Sequence, residues 1–146
     1  GTEGDGGKRA GDASGTGGNA LAHKHVLVAE DNALNAEVIT AILNIHDATC
    51  EVAANGEEAV AKFGMSAPGT FDMIFMDVQM PVMNGHDAAR AIRAMDRPDA
   101  GTIPIIAMTA NAFAEDERQA LACGMNAHVA KPIDVHALER VVAELS

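Results

Sequence analysis

From His25 to Leu145 the chain alternates short, continuous apolar runs with longer stretches whose apolar residues recur at helical spacing. Continuous apolar runs suit strands buried on both faces. Strands separated by helices pair in parallel through right-handed crossovers. The pattern predicts an α/β fold with five parallel strands and five helices covering both faces of the sheet. The predicted strands are HVLVAED, ATCEVAA, FDMIFMD, IPIIAMTA and AHVAKP. The second is the most polar and is expected at an edge. The predicted helices begin with NALNAEVITAILNIH, capped by Asn32, with Leu34, Val38, Ala41, Ile42 and Ile45 at helical spacing. They continue with GEEAVAKFGM, whose leading acids suit an N-terminal dipole, and GHDAARAIRAM, cut off before Arg97-Pro98. AEDERQALACG is expected to end at Gly124, and DVHALERVVAEL to start from Asp134.

A chain of 146 residues has room for one ordinary domain. Residues 1–22 contain eight of the fourteen glycines and almost nothing that could enter a core, so they read as a flexible linker or tail, with the folded domain spanning 24–146. The first residue is Gly rather than Met, which fits either a piece excised from something larger or a chain standing alone, and output is expected upstream in a parent chain or in another protein. The formal charge of −11 argues against nucleic acid or an anionic membrane surface as partner. Cys50 and Cys123 have no neighbouring ligand spacing, which excludes a CxxC zinc site and fits a reducing, cytoplasmic setting. No apolar run approaches the roughly 20 residues of a membrane span, and the N-terminus has no signal-peptide pattern.

In a parallel sheet the functional groups gather beyond the carboxyl ends of the strands. Glu30 and Asp31 fall at the end of strand one, Asp77 of strand three, Thr109 of strand four and Lys131 of strand five. An unpaired buried carboxylate is costly, so Asp77 needs compensation from its surroundings. Three acids with oxygen ligands alone favour a hard cation, Mg²⁺ rather than zinc. A lysine and a hydroxyl facing them suit the oxygens of a phosphoryl group. On this reading Asp77, on the central strand, is the nucleophile that accepts the phosphoryl group as an aspartyl phosphate.

The segments VLVAEDN, MDVQMPVMNG, PIIAMTANA and GMNAHVAKPI, in this order and spacing, resemble the four signatures of the receiver domain of two-component response regulators. The likeness covers about residues 24–146, and its wording is most similar to receivers of hybrid sensor histidine kinases. It implies a flavodoxin-like, doubly wound sheet of order 2-1-3-4-5. It also implies Asp77 as phosphoacceptor, with Mg²⁺ held by Asp31, Asp77, the backbone carbonyl of Gln79, and Glu30 through water. Thr109 and Lys131 would bind the phosphoryl group, and the Lys131-Pro132 bond would be cis. The implied partner is a histidine kinase or histidine phosphotransfer protein. The domain is expected to be monomeric, and to catalyse only its own phosphorylation and dephosphorylation, without turnover of a separate substrate. Gln79 and Asn111 would flank the path of attacking water. The family places an aromatic switch residue on strand five where this chain has His128, whose smaller, ionisable ring is expected to alter the output face.

Three rivals remain. An aspartyl-phosphate phosphatase resembling the haloacid dehalogenase type needs a second aspartate where this chain has Gln79. A flavodoxin-like cofactor binder lacks glycine in AEDNALNA and has no Trp or Tyr to stack on a flavin. A degenerate receiver that only binds partners is opposed by the presence of all five site residues. Met73, Met76, Met80 and Met83 are read as packing and loop residues, and His23, His25 and His46 receive no role.

Overall fold

The computed structural model describes residues 21–110, 114–131 and 133–145. Its order is β1 (His25–Ala29), α1 (Ala33–Ile45), β2 (Thr49–Ala53), α2 (Gly56–Met65), β3 (Met73–Asp77), α3 (Gly85–Arg93), β4 (Ile105–Thr109), α4 (Ala114–Ala122), β5 (Ala127–Ala130) and α5 (Val135–Leu145). All neighbouring strands are parallel, and the sheet order is β2-β1-β3-β4-β5. The expected α/β architecture and strand order are therefore observed, with the polar β2 at an edge.

Strand alternation sends successive side chains into two separate cores. Leu27, Ala29, Ile74, Met76, Ile105 and Ala107 pack against Ala59 and Phe63 of α2, Ala88 and Ile92 of α3, and Ala120 of α4. Val26, Val28, Met73, Phe75, Ile106 and Met108 face the other way, against Ile39 and Leu43 of α1 and Leu138 and Val142 of α5. Both faces of β1, β3 and β4 are thus dry, which is why those runs lack polar alternation.

Two expectations are corrected. The buried residues of α1 are Ala36, Ile39 and Leu43, whereas Leu34, Val38 and Ile45 are 69%, 46% and 77% exposed. Two apolar stripes share this helix, and the sheet takes the one containing the smaller Ala36, leaving the bulkier stripe outward. The tail boundary also moves. Leu21 is fully buried in the α1/α5 core, and the turn behind it is closed by Lys24 N–H to Leu21 O (3.1 Å) and His23 N–H to Asp47 O (2.8 Å). Leu21, inside the segment read as a linker, is therefore packed with the folded residues. The Pro132 bond and Asn111 lie outside the described residues.

The helix starts follow local chemistry. Asn32, Asn55 and Asn84 each accept a hydrogen bond from the backbone N–H three residues on, at 3.0, 2.8 and 2.9 Å, satisfying donors that a helix N-terminus leaves unpaired. Asp134 accepts from His136 N–H at 2.8 Å ahead of α5. After α4, Gly124 takes φ +100°, a left-handed conformation suited to glycine.

Candidate functional site

β1, β3, β4 and β5 deliver their last or next residue to one edge of the sheet. Glu30 and Asp31 follow β1, Asp77 ends β3, Thr109 ends β4, and Lys131 follows β5. The backbone is fixed there: Lys131 N–H donates to Thr109 O (2.7 Å), and Val78 N–H to Met108 O (3.1 Å). All five expected side chains line one cleft of about 260 Å³, together with Asn32, Asn35, Gln79, His86 and Ala110.

Within the cleft Lys131 Nζ lies 2.7 Å from Asp77 Oδ2 and 3.0 Å from Glu30 Oε1. Asp77 Oδ1 accepts from Gln79 N–H at 3.1 Å. Glu30 and Asp77 are buried, and Asp31 is exposed. Burial raises the Asp77 carboxyl from 3.8 to about 6, with Glu30 adding repulsion, and the bond from Lys131 opposes but does not cancel the rise. Burial pulls Lys131 down, yet its bonds to Asp77 and Glu30 hold it above the ordinary lysine range. The Asp77 rise is chiefly desolvation, whereas Lys131 is held up by its two acidic partners.

The cleft fits a divalent cation. Glu30, Asp31 and Asp77 each offer a carboxylate oxygen, all within 4.8 Å of one another, and hard oxygen donors suit Mg²⁺. A second feature points to a polar ligand. The Thr109 hydroxyl is buried with no hydrogen-bond partner among the described residues, a condition that costs stability unless something else supplies the bond.

The loop between β3 and α3 closes the other side. Gly85 N–H donates to Val78 O (3.0 Å) and Gly56 N–H to Met83 O (2.9 Å), tying α3 and α2 to the loop. Val82, 76% exposed, sits at φ 68°, a strained conformation for a β-branched residue. The sequence reading overlooked His86, which lines the cleft from the first turn of α3. Position 86 reads as an ordinary helix start, and only the packing of Gly85 onto β3 brings its neighbour to the site.

Residues 26–143 match the family model of the response regulator receiver domain. The chain belongs to that family. Over 127 residues this receiver domain is 35% identical to hybrid signal transduction histidine kinase I of Dictyostelium discoideum, covering 86% of this chain and 7% of the kinase. It thus spans only a small part of that relative. Among solved structures, the receiver domain of a Pseudomonas aeruginosa sensor histidine kinase has a TM-score of 0.75 and 35% identity, covering 85% of this chain and 98% of that one. That structure holds a magnesium ion in its active site cleft. A second receiver domain belongs to a Saccharomyces cerevisiae response regulator crystallised with the histidine phosphotransfer protein upstream of it. It has a TM-score of 0.74 and 32% identity, over 85% of this chain and 89% of that chain.

His128, the expected switch residue, lies on β5 beside Ala107 of β4 and is half-buried. It lines a groove with Ala120 and Leu121 near the end of α4 and Val141 and Glu144 of α5. Cys123 is buried in the core, where burial raises its thiol pKa, and Cys50 is half-buried on β2. His25 stacks on Phe71 with ring centroids 5.1 Å apart, at the sheet end remote from the cleft.

Proposed function

We propose that this receiver domain takes a phosphoryl group from a phosphohistidine onto Asp77 and either passes it on or loses it to water. The observation that carries this reading is the placement of Asp77 between Lys131 and Gln79 N–H, with two further acids and a Thr109 hydroxyl that has no partner among the described residues in the same cleft. With a pKa of about 6, Asp77 is roughly tenfold more ionised than neutral at pH 7, so it is available as a nucleophile. A carboxylate oxygen of Asp77 attacks phosphorus and forms the new P–O bond. The P–N bond to the donor breaks, its electron pair returns to the imidazole, and the ring takes up a proton. Lys131 neutralises the arriving phosphoryl oxygens, and Thr109 donates its hydroxyl hydrogen to one of them. When bound by Asp31, Asp77, the Gln79 carbonyl, and Glu30 through water, Mg²⁺ supplies further charge neutralisation at the phosphoryl oxygens.

The α1 surface supports a protein donor. Leu34, Val38 and Ile45 form an exposed apolar stripe, and Asn35 on the same helix lines the cleft. Contiguous exposed apolar surface beside a site is characteristic of protein contacts. The donor is therefore read as a histidine kinase or histidine phosphotransfer protein.

The reading is tested with Mg²⁺ and beryllofluoride, a mimic of the acyl phosphate, by following amide chemical shifts. Changes around Asp77, Thr109 and Lys131 are expected in the wild type and absent in Asp77→Asn. An unresponsive wild-type spectrum would leave a constitutive binding module as the better description.

Mg²⁺ affinity is expected to depend on pH through the same carboxyl. Above about pH 6.5 Asp77 is ionised and affinity is nearly flat. Below pH 6 a proton competes with the cation, and affinity falls by about tenfold per unit. Calorimetric titration from pH 5 to 8 checks this, and a flat profile would remove Asp77 from the ligand set.

His128 is read as the residue that carries the phosphorylation signal to the groove bounded by α4, β5 and α5. His128→Tyr is expected to change the affinity of an output partner by about fivefold or more, the low end of ordinary coupling between sites. Equal affinities for both proteins, with and without beryllofluoride, would assign His128 to packing alone.

A further inference from the structure

The dipeptide Asn-Gly occurs twice in the chain, at Asn55-Gly56 and Asn84-Gly85. Asparagine is thermolabile, and a following glycine has no side chain to shield its amide, so this dipeptide is where a chain most readily loses side-chain nitrogen. In that reaction the glycine nitrogen gives up its proton to solvent and attacks asparagine Cγ. A five-membered succinimide forms, ammonia leaves, and water opens the ring at one carbonyl or the other. The products are aspartate and isoaspartate, and in isoaspartate the main chain runs through the former side chain and is one carbon longer.

The fold closes this route at both places. Each glycine nitrogen is already a donor, Gly56 N–H to Met83 O (2.9 Å) and Gly85 N–H to Val78 O (3.0 Å). Each asparagine side chain is held as a cap, accepting from Glu58 N–H (2.8 Å) or Asp87 N–H (2.9 Å). Asn55 and Asn84 have extended ψ of 176° and 171°, from which the backbone must rotate before the ring can close. Both glycines are buried against backbone: a Cβ would lie 2.3 Å from Met83 O at Gly56 and 2.3 Å from Asp77 O at Gly85. Both locks thus run through the loop from Val78 to Gly85. That loop is also strained, because Val82 at φ 68° sits in a three-residue turn closed by Met83 N–H to Pro81 O (2.7 Å). Asn84 is exposed beside this turn, whereas Asn55 is half-buried.

We propose that Asn84 is a gated deamidation site, shut while Gly85 is seated on β3 and opened when the loop before α3 lifts, and that its isoaspartyl product disables the site at Asp77. The second part rests on the reading of Asp77 as phosphoacceptor, and the gating does not. Aspartate at this place still caps α3, since it ranks with asparagine as an N-cap. Isoaspartate puts its extra main-chain carbon immediately before Gly85, where contact with Asp77 leaves no room for it.

The test incubates the whole chain near neutral pH, folded or in urea, and follows Asn84 by peptide mapping and ammonia release. Conversion is expected to be at least about tenfold slower in the folded chain. Gly56→Ala, whose methyl displaces Met83 O, should speed it about fivefold or more, whereas Leu43→Ala in the opposite core should stay within about twofold of wild type. Should Gly56→Ala fail to fold, hydrogen exchange of the wild type decides the same point, with Gly85 N–H expected to exchange faster than Leu43 N–H. Equal conversion in the folded chain and in urea, equal effects of the two variants, or equal exchange at the two amides would overturn the gate. The separated isoaspartyl form, given phosphoramidate and Mg²⁺, should take up label at least about tenfold more slowly than wild type, and Asn84→Asp within about twofold of it. Normal uptake by the isoaspartyl form would overturn the link from Asn84 to the site. A wild-type chain that takes no label, matching Asp77→Asn, would overturn the acceptor reading and that link with it, while peptide mapping still decides the gate.

Discussion

Asp77→Asn is expected to abolish phosphoryl uptake and, at the same time, to make the metal-free protein more stable at neutral pH. The two effects come from one cause. The ionised Asp77 carboxyl has a pKa of about 6 in the fold against 3.8 ordinarily, so ionisation costs about 3 kcal/mol more in the folded chain than in the unfolded one. Asparagine occupies nearly the same volume without the charge and can still accept from Gln79 N–H. That shift already nets the charge-assisted bond from Lys131 (2.7 Å) against burial, so the expected stabilisation is about 2 to 3 kcal/mol, or roughly 6 to 12 °C in melting temperature. The pH dependence fixes the sign. A carboxyl whose folded pKa is raised favours the folded state when protonated, so wild-type stability declines as pH rises from 4 through 6. The advantage of asparagine should therefore be full above about pH 7 and vanish below about pH 4. Urea unfolding at pH 4, 6 and 7.5 checks this in the absence of divalent ions. Asp31→Asn is the comparison: Asp31 is exposed, so its replacement should weaken Mg²⁺ binding while leaving stability within about 0.5 kcal/mol. If Asp77→Asn destabilised the protein at pH 7.5, the ion pair with Lys131 would outweigh the burial of the charge.

This opposition between stability and chemistry explains the arrangement of acids at the sheet edge. The fold tolerates Glu30 and Asp77 buried together because Lys131 reaches both, and it leaves the triad one positive charge short. On the proposed function a cation would supply that charge, and a phosphoryl group the partner that Thr109 lacks among the described residues. The receiver domain is least satisfied where its ligands enter, which is where strain and unpaired groups are found in functional sites.

The parts of this structure legible in the sequence were those carried by repeated or local signals. Strands buried on both faces appear as unbroken apolar runs, and the acids, threonine and lysine stand out because each terminates such a run. Caps are equally local: Asn32, Asp134 and Gly124 act within three or four residues of themselves. Other features depend on contacts between distant segments. Which stripe of α1 faces inward is decided by the shape of the sheet beneath it, and Leu34 and Ile39 are equally apolar to a periodicity argument. Leu21 is a single apolar side chain beside a glycine-rich stretch, with no period to reveal it, yet it fills a place between α1 and α5. His86 becomes a site residue only through the close approach of its neighbour Gly85 to Asp77.

That approach sets the largest stability effect expected of a small substitution. Gly85→Ala would place a methyl carbon 2.3 Å from Asp77 O, 3.0 Å from Asp77 C and 3.0 Å from Met76 Cγ. Two of these atoms belong to the backbone of the central strand, which is paired on both sides, so they cannot turn aside as a flexible side chain would. Either α3 withdraws from the sheet or the end of β3 is pushed, and both routes lose packing around the buried Ala88, Ala89 and Ile92. The expected cost is about 3 kcal/mol, after the modest helix-propensity gain of alanine is counted. Since the displaced atoms are those of Asp77 itself, surviving folded protein should also be phosphorylated more slowly, whereas an ordinary core defect elsewhere would not slow uptake. Gly64→Ala provides the opposite sign. It lies within α2, where the added carbon would meet only the Met95 side chain at 3.4 Å, so the propensity gain should prevail and stabilise by about 0.5 kcal/mol. Urea midpoints of the two variants, measured beside the wild type, separate close backbone approach from a general intolerance of alanine. A neutral Gly85→Ala would mean that α3 can slide outward freely, and the rigid presentation of His86 to the cleft would fail with it.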